Sequence, residues 1–365
     1  MNRTRFLHTA DWQLGLRRHF LSEEALPRYR QARIDAIRTM ARQARDCEFA
    51  VVAGDVFESN QIDATTLRRA LEALAEFPCP VYLLPGNHDP LEAGSIHERI
   101  RDHPRARVVV SRETVRPGLE VVGAPWHTKR PGTDLVATAC RGLEPTPKGT
   151  LRVLVAHGNG GAAGDHGDAA LIDIEAAARA IEEGKIHFVA LGDRHSVTKL
   201  GDRIWYSGTP EPTAFREADP GHALIVDLDE NECRVSRRAI ARWTFLKRKW
   251  VLAGQADVDA LGLWLDELPN KDCTVVKLRL KGTLGLADRA ALDRTLADAA
   301  LVFAGLERRD GLAIAPDDAD LEALALGGFA RATLDELAQR KGDEAAGDAL
   351  ALLYRLAHPP IGGLR

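Results

Sequence analysis

Short, mostly apolar runs recur along the first part of the chain: Phe6–Ala10, Phe49–Ala53, Val81–Leu84, Arg152–Ala156 and His187–Leu191. Each stops abruptly at Gly, Pro, Asp or His. Brief runs of this kind, rich in Val and aromatic residues, predict strands buried on both faces, as in a parallel sheet. Between the first of them lie longer stretches with helical spacing. From about Pro27 to Asp46, Ile34, Ile37, Met40, Ala41 and Ala44 share one face. Arg28, Arg30, Arg33, Arg38, Arg42 and Arg45 occupy the other, which reads as a solvated face. A second helix is expected over Ala64–Glu76. Strand, loop and helix in repetition predict βαβ units around a mainly parallel core. Shorter strands are expected at Arg107–Val110 and Leu119–Gly123. Those at Arg203–Tyr206 and His222–Leu228 are expected to form a second, antiparallel-type sheet.

Near Trp243–Lys249 the pattern changes to a basic segment that contains Lys247, Arg248 and Lys249 and follows Arg237, Arg238 and Arg242. The domain boundary is placed there, with residues 1–245 as the larger domain and 246–365 as a smaller α/β unit. In the latter, Asp257–Leu268 reads as a helix and Thr274–Leu280 as an alternating strand. Asp288–Leu306 reads as a helix. Asp320–Leu356 is Ala/Leu-rich and helical, with breaks at Gly327-Gly328 and Gly342.

Composition narrows the class. The chain of 365 residues is 45% hydrophobic and 28% charged, which suits a globular protein. No apolar run approaches the about 20 residues that span a bilayer, so no membrane association is expected. A strand begins within the first few residues, which argues against a secretory leader. The five cysteines are scattered without a Cys-x-x-Cys pair, so neither structural zinc nor a disulfide framework is expected, and the setting reads as a reducing cytoplasm. Net charge is −4, unevenly spread: residues 251–365 hold 13 Lys/Arg against 19 Asp/Glu, which leaves the preceding part slightly positive. That balance permits a nucleic-acid partner without requiring one.

The residues that follow the apolar runs carry the chemistry. They are Asp11 and Gln13, Asp55, Asn87 and His88, His157, and Asp193 with His195. Strand carboxyl ends in an open α/β sheet converge on one edge. Carboxylates, amides and imidazoles gathered there call for a cation. Two divalent metals answer that need, with Asp55 as the bridge because a carboxylate has two oxygens to share. Oxygen and nitrogen donors without thiolate suit Mn²⁺, Fe²⁺, Mg²⁺ or Zn²⁺, and the abundance of oxygen favours Mn²⁺. Such a pair forms a clamp for in-line displacement at phosphorus.

The ordered blocks Asp11-x-Gln13, Gly54-Asp55, Gly86-Asn87-His88-Asp89, His157-Gly158 and Gly192-x-x-His195 resemble those of calcineurin-like metallophosphoesterases. Leu14-Gly15, Gly54-Asp55-Val56-Phe57 and Ser207-Gly208-Thr209-Pro210 are most similar to the SbcD-type DNA repair nuclease branch. The resemblance implies a four-layer sandwich, two sheets flanked by helices, with a small C-terminal α/β cap. It implies one metal at Asp11, Gln13, Asp55 and His195, and the other at Asp55, Asn87, His157 and Asp193. His88 would be the general acid, and Asp89 would orient it. Gln13 and Asp193 depart from the family pattern, which has histidine at both positions. Arg17, Trp12 and His127 are candidate substrate contacts, although core packing for Trp12 and a surface loop for His127 are competing readings. Mn²⁺-dependent exo- or endonuclease action on DNA, a homodimer and a coiled-coil ATPase partner of the SMC/SbcC type are the further implications. The Asp320–Leu356 helices would dock that ATPase or simply complete the cap. Rival readings are another phosphodiesterase or phosphatase, and a DNA-binding scaffold with a weakened site.

Overall fold

The apolar runs become strands whose alternate residues face two different layers. The computed structural model describes residues 2–160, 172–315, 328–340 and 343–357. The chain divides into two units: Met1–Arg18 with Leu26–Trp243, and His19–Ala25 with Thr244–Arg365.

The first unit contains β1 (Arg3–Thr9), α1 (Ala25–Gln43), β2 (Phe49–Val52), α2 (Ala64–Ala75), β3 (Val81–Leu83) and β4 (Ala106–Val108). β5 (Arg112–Arg116), β6 (Leu119–Ala124), α3 (Leu135–Arg141), β7 (Leu151–His157), α4 (Ile174–Glu182) and β8 (Phe188–Gly192) follow. β9 (Thr198–Gly201), β10 (Ile204–Tyr206), β11 (His222–Asp229) and β12 (Cys233–Ala239) complete it. One sheet runs β12-β11-β1-β2-β3-β4 and the other β5-β6-β7-β8-β10-β9. β1 to β4 are mutually parallel, as are β6, β7, β8 and β10.

Phe6, Phe49, Val51 and Tyr82 of the first sheet meet Val121, Val153, Val155 and Phe188 of the second in one buried cluster. Phe6 stacks on Phe49 at 4.8 Å and meets the edge of Phe188 at 5.4 Å. The intervening residues Leu7, Ala50 and Val52 face the other way, onto Ile34, Ile37 and Met40 of α1 and Leu67 of α2. Leu154, Ala156 and Leu191 likewise face Val136 of α3 and Ala177 of α4. The result is helix, sheet, sheet, helix: the α/β four-layer sandwich. Since both faces of each central strand are covered, the runs need no polar alternation.

Two expectations change here. The strand at His222–Asp229 joins the first sheet, antiparallel to β1 with Phe6 opposite Val226. Its Leu224 and Val226 pack between the sheets while Ala223 and Ile225 pack under α1, so it needs a layer on each side. The second sheet is correspondingly parallel at its centre, with antiparallel strands only at its edges.

The second unit holds β13 (Thr244–Leu252), α5 (Gln255–Glu267), β14 (Thr274–Leu284), α6 (Leu286–Val302), β15 (Gly305–Arg309) and β16 (Leu312–Ile314). Helices α7 (Gly328–Gln339) and α8 (Glu344–Ala357) follow. β13, β15 and β16 all pair with β14 in parallel. The helix expected over Asp288–Leu306 ends at Val302, and Gly305–Arg309 is a strand beside β14. Residues 320–327 and 341–342 of the Asp320–Leu356 stretch lie outside the described residues. No described helix is long and apolar enough to cross a membrane.

Candidate metal centre

Parallel strands β1, β2, β3, β7 and β8 all end on the same edge, and each delivers a polar side chain there. Asp11 and Gln13 follow β1, Asp55 follows β2, Asn87 and His88 follow β3, His157 closes β7, and Asp193 and His195 follow β8. The local backbone is unusual. Asp11 (φ 54°), Gln13 (φ 41°), Asp55 (φ 52°) and Asp193 (φ 95°) all adopt the left-handed region, shared among described non-glycine residues only by Asn270. Such conformations cost about 1–3 kcal/mol each and persist where the surroundings over-determine them. Here they turn the chain at once, so that a side chain at a strand end points back over the edge. Glycine makes the approach close enough. A Cβ on Gly54 (φ +90°) would lie 2.2 Å from His157 Nδ1, and one on Gly86 would lie 2.2 Å from Asp55 Oδ1.

Ligand atoms of Asp11, Asp55 and His157 lie within 4.8 Å of one another, and all three residues are buried. His157 Nε2 is 3.4 Å from Asp55 Oδ2 and 3.7 Å from Asp193 Oδ1. The Asn87 amide lies 2.9 Å from the same nitrogen. Turned so that its nitrogen faces Asp55, this amide comes within 3.2 Å of both carboxylate oxygens. His195 Nε2 stands 3.9 Å from Asp11 Oδ1 and 3.5 Å from Gln13 Nε2. His88 Nε2 is 3.9 Å from Asp55 Oδ2, and the His88 backbone N–H donates to Asp55 Oδ1 at 3.0 Å.

All three imidazoles are held with Nε2 inward. His157 Nδ1 is 2.8 Å from the Ala53 carbonyl and His88 Nδ1 is 3.1 Å from the Glu58 carbonyl. His195 Nδ1 is 2.8 Å from Glu217 Oε1 and 2.7 Å from Thr213 Oγ1. Carbonyl and carboxylate oxygens only accept, so each Nδ1 carries a proton, and in the neutral form each Nε2 offers a lone pair to the site.

The electrostatics fit a cation. Burial raises the Asp11 pKa to about 6; His195 and His157 oppose that rise, while Asp55 and Asp193 add to it. Burial would depress His157, but the surrounding carboxylates outweigh it and hold its pKa well above the usual value. Burial acts to raise Asp55, yet His157 and His88 bring it below the ordinary carboxylate range. Gln13 Oε1 is buried with no hydrogen-bond partner. An orphaned carbonyl oxygen, three convergent carboxylates and inward Nε2 atoms are the donor set of a divalent metal.

Asp89 and Trp12 are placed away from their expected roles. Asp89 does not touch the His88 ring. Its carboxylate is fully buried and accepts the backbone N–H groups of Gly86 at 2.9 Å and Phe57 at 3.0 Å, with His97 Nε2 3.2 Å away. It thus ties the β3 loop to the β2 loop, because successive residues in a tight turn project to different sides. Trp12 is 1% exposed and donates to Thr9 Oγ1, so it is a core residue that no base can stack on. Arg17 and His127 are exposed.

Several residues escaped sequence reasoning. Glu217 and Thr213 hold His195 from a loop with no motif of its own. Arg33, one of the arginines read as solvated, is buried and donates to the carbonyls of Trp12 at 2.9 Å and Asp11 at 3.5 Å. Only its position nearer the apolar stripe of α1 hinted at this.

With this geometry in view, residues 4–195 match the family described as calcineurin-like phosphoesterase. The chain belongs to that family. Members of that family typically use divalent metals. No curated protein matches the chain. Among solved structures, the 5'-nucleotidase precursor from Thermus thermophilus is similar over 65% of this chain and 54% of its own, at 14% identity and a TM-score of 0.38. The alignment thus spans about half of that protein's length.

Proposed function

We propose that this metallophosphoesterase hydrolyses DNA phosphodiesters with two divalent cations, Mn²⁺ foremost, as a repair nuclease of the SbcD type. The observation that carries the hydrolytic part is the convergence of donors from both sheets on one edge. Asp11, Gln13, Asp55 and His195 would hold one cation; Asp55, Asn87, His157 and Asp193 would hold the other. When bound, such a pair supplies Lewis acidity at the phosphoryl oxygens and lowers the pKa of water. The chain's own groups do the rest. His88 is 36% exposed at its side chain, with Nε2 toward Asp55 and Nδ1 held by the Glu58 carbonyl. In its protonated form it donates from Nε2 to the leaving oxygen. Asp89 keeps the loop that carries His88 in register with the Asp55 loop.

The DNA substrate is supported by the similarity of Leu14-Gly15, Gly54-Asp55-Val56-Phe57 and Ser207-Gly208-Thr209-Pro210 to the SbcD-type pattern. A homodimer and a coiled-coil ATPase partner belong to the same reading. The preference for Mn²⁺ rests on Gln13 and Asp193, oxygen donors where the family pattern has imidazole. The test is one panel: metal-stripped protein reloaded with Mn²⁺, Mg²⁺ or Zn²⁺, on single-stranded DNA, blunt duplex, hairpin, bis-p-nitrophenyl phosphate and a nucleoside monophosphate. Metal-dependent DNA cleavage is the expected result. Hydrolysis of the small esters alone would replace DNA by a small-molecule substrate.

A further inference from the structure

The sheet of the second unit has two unlike faces. One carries Leu252, Val276, Leu278 and Leu280 and is packed by α5 and α6. On the other, parallel register sets Phe245 beside Val275 and Gly305, Lys247 beside Lys277 and Glu307, and Lys249 beside Arg279 and Arg309, with Val251 beside Lys281. The first of these rows is covered, since Phe20 meets the Phe245 ring edge-on at 5.4 Å. Beyond it, Lys247, Lys249, Arg279, Lys281 and Arg309 are all exposed. Lys277 is neutralised by Glu307 at 2.7 Å. For the five exposed cations no ion pair is found among the described residues. Arg248, on the opposite face, instead lies over the rings of Trp250 and Trp264 at 4.8 and 4.6 Å.

Like charges in neighbouring strands repel, so a row such as Lys249–Arg279–Arg309 weakens the sheet on its own. Strands stand about 4.8 Å apart, and side chains along one face repeat about every 6.6 Å. The exposed cations therefore recur at regular spacings on one face, and a regular polyanion is their complement. The unit is acidic overall, yet five of its cations share this one open face.

We propose that this open face of β13, β14 and β15 binds the phosphate backbone of duplex DNA. The proposal rests on the nuclease reading and adds where the second unit holds that substrate. Its contacts are to phosphates, so they set affinity and position without reading sequence.

The test is the quadruple substitution Lys249→Gln, Arg279→Gln, Lys281→Gln and Arg309→Gln in the full chain. A control, Arg42→Gln, Arg45→Gln, Arg101→Gln and Arg105→Gln, removes equal charge from exposed positions of the first unit. Duplex binding is titrated against salt, and bis-p-nitrophenyl phosphate hydrolysis and thermal melting are followed alongside. The expected result is a log–log salt slope shallower by about 0.9 for each phosphate no longer neutralised, and an affinity at least about tenfold weaker at moderate salt. The control keeps the wild-type slope, and small-ester turnover is unchanged in both. A quadruple variant with the wild-type slope and affinity overturns the proposal and leaves the nuclease reading standing. Wild-type protein that hydrolyses the small ester yet neither binds nor cleaves DNA overturns both. If poly-glutamate binds to the face while DNA does not, the partner is an acidic protein segment and the proposal fails.

Discussion

At the carboxyl edge of β1 and β2, Asp11 and Asp55 are almost wholly out of water. On the open face of β13 and β14, Lys249 and Arg279 sit side by side in it. Both regions gather like charges, yet by opposite means. The edge needs left-handed backbone at Asp11, Gln13, Asp55 and Asp193, glycines pressed against side chains, and outer partners for each imidazole. The open face needs only an ordinary strand with alternate cations. The difference follows from dielectric. Exposed charges interact weakly and are screened by salt, whereas buried charges demand a compensating partner at a fixed distance. A single change should therefore be severe at the edge and gradual on the face.

The largest effect is expected for Asp55→Ala. It removes the carboxylate whose Oδ2 stands 3.4 Å from His157 Nε2 and 3.9 Å from His88 Nε2. Elemental analysis after dialysis should find no bound metal, and hydrolysis should fall to the level of the uncatalysed control. Two equivalents of metal still bound would show that Asp55 does not bridge. Next comes His88→Ala, which should retain metal and lower turnover by about 10²–10⁴-fold. Unchanged turnover would remove His88 from the chemistry.

Glu217→Gln tests the outer layer of the edge. The amide accepts less strongly from His195 Nδ1, and loss of such a partner costs about 10–100-fold in metal affinity. Glu217→Asp should recover part of that affinity. Equal losses in both variants, matched by a lower melting temperature, would mean the carboxylate merely packs. A smaller shift is expected for Gln13→His: about tenfold tighter Zn²⁺ relative to Mn²⁺, read by titrating each metal with activity followed. The same preference in both proteins would show that Gln13 is not a ligand.

The smallest effect at neutral pH belongs to His8, buried between the sheets with Nε2 3.1 Å from the Leu191 carbonyl. Burial lowers its pKa from 6.5 to about 3, against the raising effect of that carbonyl. The unfolded chain therefore takes up the proton first. The resulting stability is complete above about 6.5 and is lost as pH falls toward 3. His8→Gln should flatten that limb of a denaturant-midpoint profile and leave the neutral plateau nearly level with its own value at pH 6. An equally steep acid limb in the variant would assign the loss to other groups.

Several candidate ligand positions were legible because they combine two local signals: an apolar run that must be a buried strand, and a polar residue at its end with glycine beside it. Gly54-Asp55 and Gly86-Asn87-His88 are of this kind. The strand ends could be named without knowing which sheet each belonged to, since parallel strands share an edge. That these strands would be covered on both sides was legible for the same reason, since only such strands tolerate runs such as Phe49–Ala53; the four-layer sandwich itself was what the resemblance implied.

Other facts depend on residues far apart in the chain. The partner sheet of β11 was decided by packing, as its two faces needed the inter-sheet core and the α1 layer together. Asp89 adjoins His88, but the turn sends its carboxylate to Gly86 and Phe57, while the His88 ring finds the Glu58 carbonyl. Glu217 lies 22 positions after His195 and reaches it only because the chain returns past the β8 end. Trp12 and Arg33 look like surface candidates until burial places one in the core and the other beneath the Asp11 loop. Sequence by itself determined which residues could ligate and where strands end, because those follow from side-chain chemistry and local hydrophobic pattern. Tertiary structure alone decided which partner each polar atom has, since a hydrogen bond depends on distances of a few tenths of an ångström between segments that no local pattern relates.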